Sequence, residues 1–276
     1  MKIIADTATL FSPAEGEANG MTIVPVSVAI NNTTYKDYVD ISSAEFLRLI
    51  AEGGTPTSSQ PSVGEILEAL EDVSEDVILL TVADGLSGGY QSAMGARNLI
   101  ENNQHIHVIN SKSLAGPLRY LAKKAVALNK QGVPTQQALQ SIMQSVDNSI
   151  SFVIPEDFEF LKRSGRLTAI TARVGGVLKL LPILTQTDDR KRIKPIGVKR
   201  SWKSAVEVII NRLQNMEVNE DYLISICHAG TPEKAAAVSA QVKEAFPHVE
   251  IEILELCPAL ITHGGPGCIV IQTIKK

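Results

Sequence analysis

Short apolar runs alternate with amphipathic helical stretches over roughly the first 150 residues, and this alternation is the strongest constraint on the fold. KIIAD, MTIVPVSVAI, DVILLTV and IHVI are typical of strands. SSAEFLRLIAEG and SVGEILEALEDV carry helical spacing, and Glu45 stands where it would complete a capping box with Ser42. Strands that alternate with helices in this way favour a parallel sheet covered by helices.

The pattern changes after NSISFVIP. GGVLKLLPILTQTDDRKRIKPIGVKR predicts a hairpin of two strands around a charged turn, and helices then separate the strands DYLISICHAG, VEIEILEL and GCIVIQTI. We therefore expect an α/β chain of two domains. Residues 1–152 would form the parallel, helix-covered sheet, and residues 153–276 an α+β domain with a mixed or antiparallel sheet. A cleft between two such domains is a common ligand location.

Composition excludes several classes of function. The net charge of −4 gives no field that attracts nucleic acid, and 4% aromatic residues supply few platforms for stacked bases. The chain lacks the pattern of a signal peptide and an apolar segment long enough to span a bilayer, so no stable membrane insertion is expected. Cys227, Cys257 and Cys268 lie in apolar runs, which is typical of buried thiols in a reducing compartment and favours the cytoplasm. Neither a nucleotide-binding signature nor metal-ligand spacing is present, so no cofactor or metal is expected.

Three polar segments are candidate binding sites. ADGLSGGYQSAMGARN places Ser87 and Gly88 between a strand and a helix, where backbone N–H groups gather to hold an anion, but without a P-loop lysine. TPTSSQPS carries Ser58 and Ser59 in a loop rich in hydroxyl groups, and THGGPG carries His263 between glycine and proline residues. Each segment is also compatible with an ordinary turn, so the residues alone leave both interpretations open.

Two further patterns leave alternatives open. If folding brought Ser87 and His263 together, they would form the nucleophile and base of a lipid or ester hydrolase, although the G-x-S-x-G pattern is absent. Between Lys162 and Lys203 there are twelve lysine and arginine residues against two aspartates. This stretch is either a solvated basic face or a docking surface for an acidic partner or a phosphorylated ligand.

Several segments, in order along nearly the whole chain, carry a family resemblance: ADTATL, VPVSVAINNTTYKDYVDIS, PTSSQPS, LSGGYQSA, LKRSGRLT, LKLLPILT, VKRSWKSA and THGGPG. Together they resemble the DegV family, bacterial fatty acid-binding proteins that serve as acyl-carrying subunits of fatty acid kinase. The chain departs from the family pattern at Ser58 and Gly89, where the family has threonine, and at Ser164, where it has glycine. Trp202 and Ser204 replace basic residues. None of these changes removes a donor to the ligand's head group.

The resemblance implies that a long-chain fatty acid is buried in a tunnel between the two domains. It also implies that a separate kinase subunit binds ATP and phosphorylates the acyl carboxylate, so that this chain performs no catalysis alone. A lipid carrier or regulator without a kinase partner is the alternative within the same class. Chain length, saturation and branching of the ligand cannot be read from the sequence.

The resemblance also implies roles for individual residues. Ser87, the Gly88 backbone N–H, Ser58, Ser59 and His263 would hold the fatty acid carboxylate.

Two basic residues would serve the kinase reaction. Arg200 would lie near the carboxylate and matter for phosphoryl transfer, and Arg166 would belong to the rim that meets the kinase.

Overall fold

The structure of the chain is a computed structural model that describes residues 1–71, 73–168 and 180–276. The described residues form these strands: β1 (Lys2–Asp6), β2 (Thr22–Val24), β3 (Ser27–Ile30), β4 (Thr33–Lys36), β5 (Thr57–Ser59), β6 (Val77–Thr81), β7 (Ile106–Asn110), β8 (Ser149–Ile154), β9 (Leu181–Gln186), β10 (Ile193–Lys199), β11 (Tyr222–His228), β12 (Glu250–Glu255) and β13 (Ile269–Lys275). Their α-helices are α1 (Pro13–Asn19), α2 (Ser43–Ala51), α3 (Val63–Leu70), α4 (Gly89–Asn98), α5 (Ala115–Lys130), α6 (Thr135–Asp147), α7 (Phe158–Arg163), α8 (Trp202–Asn215), α9 (Pro232–Ala245) and α10 (Pro258–Gly264). In this described part of the chain, no helix combines the length and apolar character needed to cross a membrane.

Four of the strands form a parallel sheet in the order β2-β1-β6-β7. Every residue of β6, with the sequence VILLT, is buried, as expected for a central parallel strand covered on both faces. The chain leaves β6 through a glycine-containing turn and enters α4. The prediction of a parallel, helix-covered sheet is therefore confirmed.

Six strands form a mixed sheet in the order β10-β9-β8-β13-β11-β12. Only the pair β11 and β12 is parallel among the described strands of this sheet. The predicted hairpin is present as the antiparallel pair β9 and β10. Residues 175–179, with which the predicted hairpin segment begins, lie outside the described residues, as do Arg173 and Lys179 of the basic stretch.

The run MTIVPVSVAI does not form one strand, and this corrects the sequence analysis. Its two halves are β2, in the parallel sheet, and β3, in a small sheet of order β4-β3-β5. Pro25 lies between them, and because proline has no N–H it cannot continue a strand's pairing. The segment after this run contains β4, since Asn31 and Asn32 adopt positive φ (51° and 63°) and close a β3–β4 hairpin.

The capping box expected at α2 is only half formed. Ser42 Oγ accepts a hydrogen bond from the Glu45 N–H at 3.2 Å. The Glu45 carboxylate accepts from the guanidinium of Arg48, one turn along the helix, instead of returning to the Ser42 N–H. The competing ion pair on the same helix face explains the difference.

Helix α5 packs between the parallel and the mixed sheets. One cluster of buried side chains joins Ile3 and Ile78 of the parallel sheet to Leu118 and Leu121 of α5 and to Ile274 of the mixed sheet. The expected boundary between residues 152 and 153 falls inside β8, which pairs with β13 and β9. The division into two domains stays a prediction.

Gly116, in the first turn of α5, makes the closest approach between this helix and the mixed sheet. A Cβ at this position would lie 2.2 Å from Ser225 Cβ, and the Gly116 N–H donates to Gln272 Oε1 at 3.1 Å. The helix can lie this close to β11 and β13 only because residue 116 has no side chain.

We expect Gly116→Ala to lower the free energy of unfolding by about 1–3 kcal/mol, because the added methyl group overpacks this contact. Gly95→Ala is the matched control, since a Cβ there would make ordinary contact with Val63 at 3.5 Å. That control should raise the unfolding free energy by about 0.5–1 kcal/mol through helix propensity. Urea unfolding of both variants measures the difference, and equal effects would contradict the packing assigned to Gly116.

Candidate functional site

A cavity lies between the parallel and the mixed sheets. It contains about 890 Å³ of space not occupied by atoms, part of which is open to solvent. Its described lining contains no Phe, Tyr or Trp and is mainly aliphatic; examples are Val82, Leu114, Val153, Leu256, Leu260 and Val270. Such a lining suits a flexible hydrocarbon better than a flat ring.

One end of the cavity is polar, and its centre is a contact between Ser58 and His263. Ser58 Oγ lies 2.8 Å from His263 Nε2. Ser58 is the middle residue of β5, which pairs with β3, and His263 lies in the last turn of α10. Both side chains line the cavity.

The imidazole of His263 is neutral at physiological pH. Burial, together with the positive charge of Arg166, lowers its pKa to about 3. A neutral imidazole has one nitrogen that donates and one that accepts. His263 therefore offers hydrogen bonding to this end of the cavity and no positive charge.

Ser87 lines the cavity from the turn between β6 and α4. Its Oγ accepts a hydrogen bond from the Gly89 N–H at 3.2 Å, so its own O–H is left to donate. Gly88 lies at the adjoining mouth, where a Cβ would lie 2.8 Å from Gln60 Nε2. A side chain at position 88 would therefore require the end of the Gln60 side chain to move.

Arg166 lies at the junction between the cavity and a shallow surface pocket that forms its mouth. Its Nε donates to Leu86 O at 2.9 Å and its Nη1 to Ser164 O at 2.6 Å. Burial lowers the pKa of Arg166, but a guanidinium stays charged at neutral pH. Arg166 thus holds a positive charge close to Ser87.

The structure gathers only some of the residues expected from the sequence. Ser58, Ser87, His263 and Arg166 line the cavity, and Gly88 lines its mouth. The remaining two candidates do not line it.

Ser59 is exposed, since successive side chains of a strand point to opposite faces and Ser58 takes the inner one. Arg200 is exposed just before α8, outside the lining of the cavity and its mouth. Its expected role in phosphoryl transfer stays a prediction.

Sequence reasoning missed three polar residues that line the cavity, namely Asp6, Gln60 and Ser164. A signal for Asp6 was available, because it ends β1 beside β6. Ligands of parallel α/β sheets bind in the crevice beyond the carboxyl ends of the strands.

The structure does not form the Ser87–His263 pair of the hydrolase alternative. His263 contacts Ser58 instead, and the Ser87 hydroxyl oxygen accepts a backbone N–H. A histidine with a pKa near 3 is also a weak general base at neutral pH. The arrangement suits binding of an anion better than activation of a nucleophile.

The polar end carries donors of hydrogen bonds. In the ranges 1–71, 73–168 and 180–276, no group of three or more His, Cys, Asp or Glu side chains could hold a metal ion. Hydroxyls, an imidazole and a guanidinium are instead donors that suit a carboxylate or phosphate.

Sequence comparison gives relatives along the entire chain. Residues 1–276 match the family model described as "Uncharacterised protein, DegV family". The DegV domain-containing protein SA1258 of Staphylococcus aureus is 28% identical over 278 aligned positions, which cover 99% of this chain and 98% of that protein.

Solved structures share the fold. The chain matches a DegV family protein from Ruminococcus gnavus, determined with vaccenic acid, with a TM-score of 0.88 and 25% identity, and 98% of each chain is covered. It matches a fatty acid-binding DegV family protein from Thermus thermophilus with a TM-score of 0.89 and 24% identity, over 100% of this chain and 99% of the other. The α/β fold with one parallel and one mixed sheet is thereby confirmed, and the chain belongs to the DegV family.

Proposed function

We propose that this protein binds a long-chain fatty acid, with the hydrocarbon tail in the cavity and the carboxylate at the polar end. The observation that carries the proposal is an aliphatic cavity that ends at three neutral hydrogen-bonding side chains, Ser58, Ser87 and His263. The vaccenic acid bound by the Ruminococcus gnavus relative supports the same class of ligand.

Two hydroxyl groups would hold the carboxylate. With the His263 proton on Nε2, the imidazole donates to Ser58 Oγ, and the Ser58 O–H is left to donate to the ligand. Ser87 would donate as well, because its oxygen already accepts the Gly89 N–H and its own O–H is left for the ligand. Hydrogen bonds to an ionised acceptor are roughly twice as strong as neutral ones, so these donors can hold the head group without a metal.

The tail would supply most of the affinity. Burial of about fourteen methylene groups at about 0.8 kcal/mol each gives roughly 11 kcal/mol before costs. Immobilising the ligand offsets several kcal/mol of this gain. The hydroxyl groups therefore fix the position of the head group more than they determine the affinity.

Organic-solvent extraction of the purified protein, followed by mass spectrometry, tests the class of ligand. We expect free long-chain fatty acids at close to one molecule per protein, because a tail buried in the cavity dissociates slowly. A protein that contains no lipid and fails to bind vaccenic acid after delipidation would refute the proposed function.

We expect Ser87→Ala to weaken binding of vaccenic acid by about 1–3 kcal/mol, because the buried carboxylate loses a donor. Ser92→Ala is the matched control, since Ser92 lies one turn further along α4 and outside the cavity lining. Competition against a fluorescent fatty acid measures both affinities. Unchanged affinity in Ser87→Ala would remove Ser87 from the head-group site.

We also propose that the bound carboxylate is presented to a separate kinase that forms an acyl-phosphate from ATP. The polar end adjoins a shallow surface pocket, so a partner would reach the carboxylate without release of the tail. Arg166 lies between the polar end of the cavity and the surface pocket, where it would stabilise negative charge on a transferred phosphoryl group. Exposed Arg200 suits contact with the kinase better than contact with the ligand.

Arg200→Ala should therefore retain vaccenic acid binding and lose most acyl-phosphate formation when ATP and the kinase subunit are present. Arg212→Ala is the matched control and should behave as the wild type, because Arg212 is also exposed but lies in the last turn of α8, the helix that begins just after Arg200. Equal losses of binding and phosphorylation in Arg200→Ala would contradict this division of roles. A wild-type protein that the kinase never phosphorylates would instead be a carrier without a kinase partner.

A further inference from the structure

Asp6 is a buried carboxyl group in the wall of the cavity. It ends β1, its residue is only 6% exposed, and it lines the cavity together with Ser58, Ser87 and His263. Its Oδ1 accepts the Ala8 N–H at 2.8 Å and so caps the turn that follows. Its Oδ2 has no hydrogen-bond partner among the residues that the structure describes, so this oxygen is left for a ligand or a proton.

The unpartnered oxygen lies near one of the proposed head-group donors, Ser87. A Cβ placed on Gly89 would lie 3.8 Å from Asp6 Oδ2 and 3.5 Å from Ser87 Oγ. Both groups thus surround the same backbone position at the start of α4. A carboxylate held by Ser87 would therefore lie beside the carboxyl group of Asp6.

The charges around Asp6 do not neutralise it. Behind it lie Asp37, whose Oδ2 accepts from Thr7, and the buried thiol of Cys257. Across the cavity lie neutral His263 and Arg166, which is already bonded to two backbone carbonyls at the rim.

Burial is the main cause that raises the pKa of Asp6 to about 7, and the negative charge of Asp37 adds to it. Near neutral pH the group therefore gains or loses a proton easily. Two carboxylates in one enclosed site cannot both stay ionised without a large cost, and the usual outcome is that the pair shares one proton.

We infer that Asp6 takes up one proton from solvent when a fatty acid carboxylate binds at Ser58 and Ser87, and holds it while the ligand stays bound. This inference rests on the proposed function, since it needs a carboxylate ligand. It assigns to Asp6 a positioning role that the two serines do not fill. The protonated carboxyl relieves the repulsion and gives the site one more O–H donor.

The number of protons taken up can be measured by calorimetry. Delipidated protein is titrated with vaccenic acid at about pH 8 in two buffers that differ in ionisation enthalpy. We expect uptake close to one proton, and an affinity that falls up to about tenfold per pH unit above about pH 7. At about pH 6 the free protein already holds the proton, so uptake by Asp6 should be small.

Asp6→Asn removes the titrating group but keeps the oxygen that accepts from Ala8. In this variant the uptake at about pH 8 should fall by close to one proton, and the steep loss of affinity with pH should disappear. Asp84→Asn is the matched control, because Asp84 lies at the mouth and not in the cavity lining. Vaccenyl alcohol, which has no carboxyl group, should cause no uptake in the wild type.

If Asp6→Asn does not fold, a second measurement shows whether the proton lies on the ligand or on the protein. The ¹³C signal of vaccenic acid labelled at its carboxyl carbon should be that of an ionised carboxylate when bound to the wild type between about pH 6 and 8. A protonated bound ligand, or uptake that persists unchanged in Asp6→Asn, would overturn the inference and leave the proposed function intact. Absence of vaccenic acid binding by the wild type would overturn both.

Discussion

The polar end of the cavity depends on the hydrogen bond between Ser58 and His263, which joins segments 205 positions apart in the chain. Ser58 belongs to the small sheet and His263 to α10, while Ser87 reaches the same place from the parallel sheet. Three parts of the fold must therefore pack correctly before Ser58, Ser87 and His263 can line one cavity. The proposed carboxylate site depends on this convergence, because no single segment carries all three residues.

Local sequence patterns were sufficient where a single element determines the outcome. The apolar run of β6 and the glycines that follow it predicted the strand, the turn that carries Ser87 and the helix after it. The change of pattern after residue 150 likewise predicted the β9–β10 hairpin and the later strands. For the site, the order of the polar segments indicated the DegV family before any geometry was known, because several motifs in sequence are far more specific than one.

Features that depend on tertiary contacts could not be predicted. The segment that contains Ser58 looks like a loop, and it becomes β5 only because β3 is available to pair with it. That pairing then directs the Ser58 side chain to the cavity and the Ser59 side chain to the opposite face of the strand. The sequence alone did not distinguish the two serines. Among many basic residues, only packing shows that Arg166 lies at the cavity and Arg200 does not. The position of Asp6 in the cavity wall was not predicted for a similar reason. A carboxyl group that ends a strand is common, and the neighbours of Asp6 come from distant segments.

The position of the polar end gives the cavity a direction. Ser87 and Arg166 line both the cavity and the surface pocket, whereas most of the aliphatic lining belongs to the cavity alone. A fatty acid bound as proposed would have its carboxylate next to the surface pocket and its insoluble tail inside the protein. On the proposed function, a partner enzyme would modify the carboxylate while the tail stays bound. Neither the fatty acid nor its product would then have to pass through water as a free species.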